Sequence, residues 1–240
     1  MISLDVMSKI WESYGSFYWK GLFNTIWLSV VAVILGLILG MIVASGRMIT
    51  IKKDENVILA AIKYIIRFMS ITYVEVLRAT PLLVQVFVIY YGATGMGWKL
   101  PDATATRMMW CLIAVALNSG AYLSEIIRSG IGAVAGGQME AARCVGMSHW
   151  QAMKYVILPQ AVRNILPALC NEFVTIIKET SVLSMVGVAE LMLQAQTVAS
   201  TTYIFVEPYI IAALMYFIIV FTLSKLISAF ERRLNRSVTR

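Results

Sequence analysis

From residue 21 to residue 46 the chain has no charged side chain: 26 residues rich in Leu, Ile, Val, Ala and Gly lie between Lys20 and Arg47. About 20 apolar residues in an α-helix cross the hydrocarbon of a bilayer, where every backbone polar group must bond within its own segment. This run is therefore span one of an integral membrane protein, and it commits the fold to the all-α class. Composition agrees, with 60% hydrophobic and 14% charged residues against about a quarter charged in soluble domains. No basic n-region followed by a short apolar core and a small-residue cleavage site precedes it, so span one is expected to direct its own insertion.

Four further spans are expected. Span two begins near Arg67 and reaches about Tyr91, and with Glu75, Arg78 and Pro81 in its first half it is either long and tilted or interrupted at Pro81. Span three is Met108 to Ser124, made polar by Asn118-Ser119-Gly120. Span four runs from Asn164 to about Ala189 and contains Glu172, Lys178 and Glu179. Span five runs from Pro208 to about Ile227. The whole chain, 1–240, reads as one transmembrane domain with five transmembrane helices.

Basic residues mark the cytoplasmic loops of such a protein. Arg47, Lys52, Lys53, Lys63 and Arg67 follow span one; Arg128, Arg143, Lys154 and Arg163 follow span three; Arg232, Arg233, Arg236 and Arg240 form the tail. The intervening connections hold only Lys99 and Arg107, or no basic residue between Glu190 and Glu207. The N-terminus is thus expected outside and the C-terminus in the cytoplasm. This distribution also accounts for the net charge of +7 without a nucleic-acid partner. The first 20 residues, with Trp11, Tyr14, Phe17, Tyr18 and Trp19, suit an outer interfacial helix. Cys111, Cys144 and Cys170 are scattered beside a single histidine, His149, so neither a metal site nor a disulfide framework is expected, and each cysteine is read as a small buried hydrophobe.

Between spans three and four lies a polar island, residues 131–159. Gly136-Gly137 is expected to break the chain, and Gln138 to Val145 to form two helical turns ending at a left-handed Gly146. Ser148-His149-Trp150-Gln151 reads as a capping box opening a second helix that ends at Pro159. Trp150, Met153 and Val156 share a face expected to pack on the body of the protein. The order Glu140-Ala141-Ala142, Gly146, then Val156-Ile157-Leu158-Pro159 resembles the EAA loop of ATP-binding-cassette importer permeases. The resemblance implies a type I importer permease fold and a docking contact with the ATPase subunit through Glu140, Ala141, Ala142, Gly146, Leu158 and Pro159.

It extends through nearly the whole chain. Arg78-Ala79-Thr80-Pro81-Leu82-Leu83-Val84-Gln85, Asn118-Ser119-Gly120-Ala121-Tyr122 and Lys178-Glu179-Thr180-Ser181-Val182 resemble segments of the polar amino-acid permeases, the histidine, glutamine and arginine type. Ala79, Glu179 and Val182 depart from that pattern.

Charged residues inside spans are costly and usually face a cavity or a partner. Glu172 and Glu179, seven residues apart, share one helix face at a spacing of about 10 Å and suit an amino group. Arg78 offers a planar fork for a carboxylate, and Thr80, Asn118 and Ser119 offer neutral hydrogen bonds. The resemblance implies the same substrate-binding set: Arg78 and Thr80 for the α-carboxylate, Glu172 and Glu179 for an amino or basic group. Structural pairing, such as Glu75 with Arg78, is the competing reading. Gly36 and Gly40 form a small-xxx-small pattern for helix packing.

No phosphate-binding loop occurs, and no Gly-Lys pair exists to begin one, so the chain is expected to have no cofactor and not to be an enzyme. ATP and Mg would belong to a cytoplasmic ATPase dimer. The other implied partners are a second permease subunit, identical or related, an external solute-binding protein, an amino-acid substrate and membrane lipid, in a bacterial cytoplasmic (inner) membrane. An ion-coupled secondary carrier is the alternative within transport, although no inverted repeat is visible. A membrane enzyme using Glu172, Glu179 and His149, or a purely structural scaffold, fits the residues less well. Two intramembrane carboxylates favour a basic amino acid by charge.

Overall fold

Span one is part of a longer helix. In the computed structural model, which describes residues 3–52 and 54–236 (side chains to Arg232), α1 runs unbroken from Leu4 to Arg47. At 1.5 Å per residue this is about 66 Å, twice the hydrocarbon thickness, so the aromatic N-terminal segment is the first half of α1 and not a separate helix. Lys53 and Arg240, two of the charges used for topology, lie outside the described residues, as do the side chains of Arg233 and Arg236.

The remaining helices are α2 (Val57–Ala79), α3 (Leu82–Gly95), α4 (Ala103–Gly132), α5 (Gly136–Cys144), α6 (His149–Ala152), α7 (Leu158–Glu179), α8 (Leu191–Thr202) and α9 (Glu207–Arg236), and the described residues contain no strand. Of the two readings of span two, interruption at Pro81 is the one observed: α2 ends at Ala79 and the short α3 starts at Leu82, with extended Pro81 between them. α1, α2, α4 and α9 are long and apolar enough to cross a membrane. α7, in place of span four, carries Arg163, Glu172, Lys178 and Glu179 and an internal Pro167, then tightens into a 3-10 turn over Thr180–Val186.

The fold divides into two compact units. The first comprises Met1–Ile34, Thr80–Ala116 and Phe173–Leu226. Leu28, Ala32 and Val33 of α1 pack there on Val86, Cys111, Val115, Ile176 and Leu183. A second cluster joins Tyr18 and Leu22 of α1 to Leu191, Ala195 and Val198 of α8 and Ile211 and Met215 of α9.

The second unit comprises Leu35–Ala79, Leu117–Glu172 and Ile227–Arg240. Small residues set its packing, as the glycine pattern predicts. A Cβ on Gly36 would fall 2.7 Å from Ser119 Oγ, and one on Gly40 3.0 Å from Leu123 Cβ, so α1 meets α4 almost backbone to backbone. Glu125 of α4 pairs with Arg47 at 2.7 Å and also with Arg128. α2 buries only Val74 fully and leaves Ile58, Ile62, Ile65, Phe68 and Met69 exposed, an apolar outer surface suited to lipid or to another membrane subunit.

Candidate functional site

The polar island of the second unit folds as two capped helices around one left-handed glycine. Gly146 takes φ +86°, a conformation that an L side chain adopts only with strain. Its amide donates to Arg143 O at 3.1 Å and the Met147 amide to Ala142 O at 3.1 Å, the paired bonds of a Schellman motif. Two residues after Gly146 the Ser148 capping box forms as expected: the Gln151 amide donates to Ser148 Oγ (3.2 Å) and the Ser148 amide to Gln151 Oε1 (2.8 Å). With both ends satisfied internally, the loop holds its shape without a partner.

Four expectations are corrected. Gly136-Gly137 does not break the chain but opens α5, whose first amides need no intrahelical acceptor. Pro159 does not end a helix: it is the second residue of α7, and the turn before it, Met153–Ile157, is π-helical, with the Leu158 amide donating to Met153 O. A proline at 159 removes the donor to Tyr155 O and crowds that carbonyl, and one wide turn relieves both. Trp150 does not pack on the body but is 72% exposed; the inward face is made by Ala142, Ala152, Ile157 and Ala161. Cys144 is exposed and Cys170 half-buried, so only Cys111 is a buried hydrophobe.

Glu140 and Ala141 are exposed, as are Val145, Trp150, Tyr155, Leu158 and Pro159. A shallow cavity of about 260 Å³ opens between Val145, Gly146, Met147, Gln151 and Tyr155. The knob thus presents an exposed tryptophan, an exposed carboxylate and an adjoining hollow on one surface.

The first unit holds a polar cluster that sequence reasoning missed. Glu190, fully buried, caps α8: its Oε1 accepts from the Leu193 amide (2.7 Å), and its Oε2 from the Met192 amide (2.9 Å) and the Tyr216 hydroxyl (2.8 Å). Asn24 Nδ2 donates to Ala189 O (2.7 Å), the Leu191 amide to Thr25 Oγ1 (3.1 Å), and Arg107 Nη1 to the carbonyl of left-handed Gly187 (3.0 Å). Gly21 permits this approach, since a Cβ there would fall 2.9 Å from Leu191 Cα. Burial pushes the Glu190 carboxyl up to about 7, against the two amides and the phenol that favour its ionised form. Glutamate is not among the favoured N-cap residues, and the Tyr216, Asn24, Thr25 and Arg107 side chains that complete the turn come from distant helices, so no local signal marks this turn.

The sequence-predicted substrate residues are distributed between the two units. In the second, Arg78 is exposed at the last turn of α2 with its guanidinium carbon 5.4 Å from the centroid of the Tyr122 ring. Asn118 is buried and its Nδ2 donates to Leu77 O at 3.4 Å. Ser119 is buried against Gly36, its hydroxyl without a hydrogen-bond partner, and Glu172 is half-buried on α7. In the first unit, Gln85 Nε2 donates to Thr80 Oγ1 (2.9 Å) and Thr80 O (3.0 Å), and Glu179 is half-buried at the end of α7. Arg47–Glu125, Arg128–Glu125 and Lys63–Glu55 are ion pairs, and none joins Glu75 to Arg78 among the described residues. No cluster of metal-ligating side chains is present among the described residues.

Comparison with known proteins matches these features to one family. The model of the binding-protein-dependent transport system inner membrane component family matches residues 57–238. The chain is 38% identical over 215 residues to a putative glutamine transport system permease protein of Rickettsia typhi, covering 90% of this chain and 91% of that protein. It is 36% identical over 220 residues to the arginine transport system permease protein of Bacillus subtilis, covering 91% and 93%. Among solved structures, an amino acid ABC transporter crystallised with histidines superposes with TM-score 0.84 at 42% identity, covering 97% of this chain and 99% of that one. The inward-facing MetNI methionine ABC transporter shares the fold at TM-score 0.71 and 15% identity, covering 91% and 96%. None of these relatives is described as an ion-coupled carrier. An all-helical chain with long apolar helices and a capped polar knob, matched over three-quarters of its length by one family model, belongs to the inner-membrane components of binding-protein-dependent transport systems.

Proposed function

We propose that this chain is the permease subunit of an ATP-binding-cassette importer for polar amino acids, in a bacterial cytoplasmic membrane. The observation that carries the reading is the α5–α6 knob: internally capped, yet presenting Trp150, Glu140 and a hollow beside Gly146 to its surroundings. A cytoplasmic ATPase dimer binding ATP and Mg engages it through Glu140, Ala141, Gly146 and Trp150. Ala142 forms the inward face of the knob, and Leu158 and Pro159 fix how it continues into α7. A second permease subunit, identical or related, completes the pathway, and an external solute-binding protein delivers the cargo. The N-terminus lies outside and the C-terminus in the cytoplasm, the side of the knob. Closure of the ATPases moves the knobs and switches the pathway between outward and inward access.

For substrate contact, Arg78 takes the α-carboxylate, Glu172 and Glu179 take the amino or basic group, and Thr80 adds a neutral bond. Asn118 and Ser119 act from behind, through the seating of α2 and α1. The similarity to glutamine and arginine permeases supports an amino-acid cargo. The test is purification of the tagged chain from membranes that also express its ATPase. The two chains copurify with the native knob, and the Glu140→Ala/Gly146→Val variant, still membrane-inserted, loses the ATPase. Retention of the ATPase by that variant would remove the knob from the contact.

A further inference from the structure

Arg78 is useful as a carboxylate receptor only if its guanidinium is held in place, and a long exposed side chain at a helix end is not held by its own backbone. The second unit supplies a seat. Pro81 has no amide proton, so it cannot supply the usual helical donor to Leu77 O four residues earlier, and Asn118 Nδ2 of α4 donates to that carbonyl at 3.4 Å. One turn further along α4, half-buried Tyr122 presents its ring to the Arg78 guanidinium at 5.4 Å, within cation–π range. Deeper in the same interface the Tyr73 hydroxyl donates to Leu117 O at 2.5 Å. Gly120 keeps the surface flat there, since a Cβ would fall 2.9 Å from that hydroxyl. The last two turns of α2 are thus fixed on α4 at three successive points. The third point is an aromatic face that holds a cation without neutralising it, and no carboxylate forms an ion pair with Arg78 among the described residues.

We propose that Tyr122 is a positioning residue for substrate recognition: its ring holds the Arg78 guanidinium over its face, with its charge free for the carboxylate of the amino-acid cargo. The inference rests on the reading of Arg78 as the carboxylate contact. A salt-bridged arginine would spend its charge on the protein; one held over a ring keeps its donors for the ligand.

The experiment uses the assembled transporter, permease with ATPase, in detergent and without the binding protein. Equilibrium binding is measured for the twenty common L-amino acids, and the tightest binder and its decarboxylated amine are carried forward. Tyr122→Leu is expected to weaken the amino acid about three- to fivefold, the range of a partly exposed cation–π contact, while leaving the amine unchanged. Tyr122→Phe, which keeps the ring, is expected to bind as the native protein does. In an Arg78→Met background, Tyr122→Leu should add nothing. Tyr122→Met replaces the leucine variant if that fails to assemble. Equal weakening of amino acid and amine, or a Tyr122→Leu effect that persists without Arg78, overturns the positioning role. Failure of Arg78→Met to weaken the amino acid, or no binding of any amino acid by the native transporter, overturns the carboxylate reading itself and the inference with it.

Discussion

The α5–α6 knob and the Glu190 turn are both polar segments of a chain that is otherwise mostly apolar, but they satisfy their groups in opposite ways. At the Glu190 turn the chain is buried and, besides the local cap on the Met192 and Leu193 amides, is bonded by side chains from elsewhere in its unit: Asn24 and Thr25 from α1, Arg107 from α4 and Tyr216 from α9. At the knob every cap is local, within a few residues, and the apolar side chains Val145, Trp150 and Tyr155 remain exposed. Long-range satisfaction with burial marks a structural joint. Local satisfaction with exposed aromatics is what a docking surface requires. The polar residues of a membrane protein can thus be sorted by where their hydrogen bonds go before any role is assigned to them.

The contrast breaks most readily at Trp150. If the knob is a docking surface, Trp150→Ala removes an anchor worth at least about 2 kcal/mol at a protein interface. ATPase association should then weaken about thirtyfold or more, while the melting temperature of the isolated permease in detergent stays unchanged. A fall in that melting temperature with association intact would make Trp150 structural.

Glu190→Ala should do the reverse. It leaves two part-buried amides and a phenol without their acceptor and removes a helix cap, a loss of roughly 3 kcal/mol, seen as a lower melting temperature with ATPase association retained in the surviving protein. The same residue sharpens the comparison through pH. Its carboxyl titrates at about 7 in the fold against an ordinary value of 4.5, so between those values the folded chain keeps a proton that the unfolded chain has lost. The associated stability is fully present below about pH 4.5 and is lost as pH rises through 7. Melting of the native permease should therefore fall over that interval, and Glu190→Gln should flatten the slope. The smallest effect is expected at the knob's own cap: Ser148→Ala costs about 1 kcal/mol of local helix stability, read as faster amide exchange at Gln151 and its neighbours with no change at Leu193.

The same division decides what the sequence makes legible. Gly146 and the Ser148 box depend on residues within one or two turns, so composition and spacing predict them, and the Gly36/Gly40 pattern predicts close helix contact because only small residues allow it. Interruption of the second span follows from the geometry of Pro81. Pro159 misleads because the first turn of a helix tolerates proline, and Gly136-Gly137 because glycines can open a helix as well as break one. The exposure of Trp150 could not be read from spacing, since four residues of α6 followed by a π turn rotate the expected face. Glu190 and Tyr122 are invisible locally: the partners of Glu190 lie as far as 26 residues away in sequence, and Arg78 lies 44 residues from Tyr122 (122 − 78). Arg78, Glu172 and Glu179 stand out in the sequence by the cost of charge in a span; the Tyr122 ring beside Arg78 is a tertiary contact.

The most direct measurement is amino-acid uptake into proteoliposomes, with the permease reconstituted alone or together with its ATPase and binding protein. Accumulation that requires all components and internally or externally accessible ATP on the ATPase side, and that is insensitive to collapse of proton and sodium gradients, is the expected result. Accumulation by the permease alone, driven by an ion gradient without ATP, would contradict it.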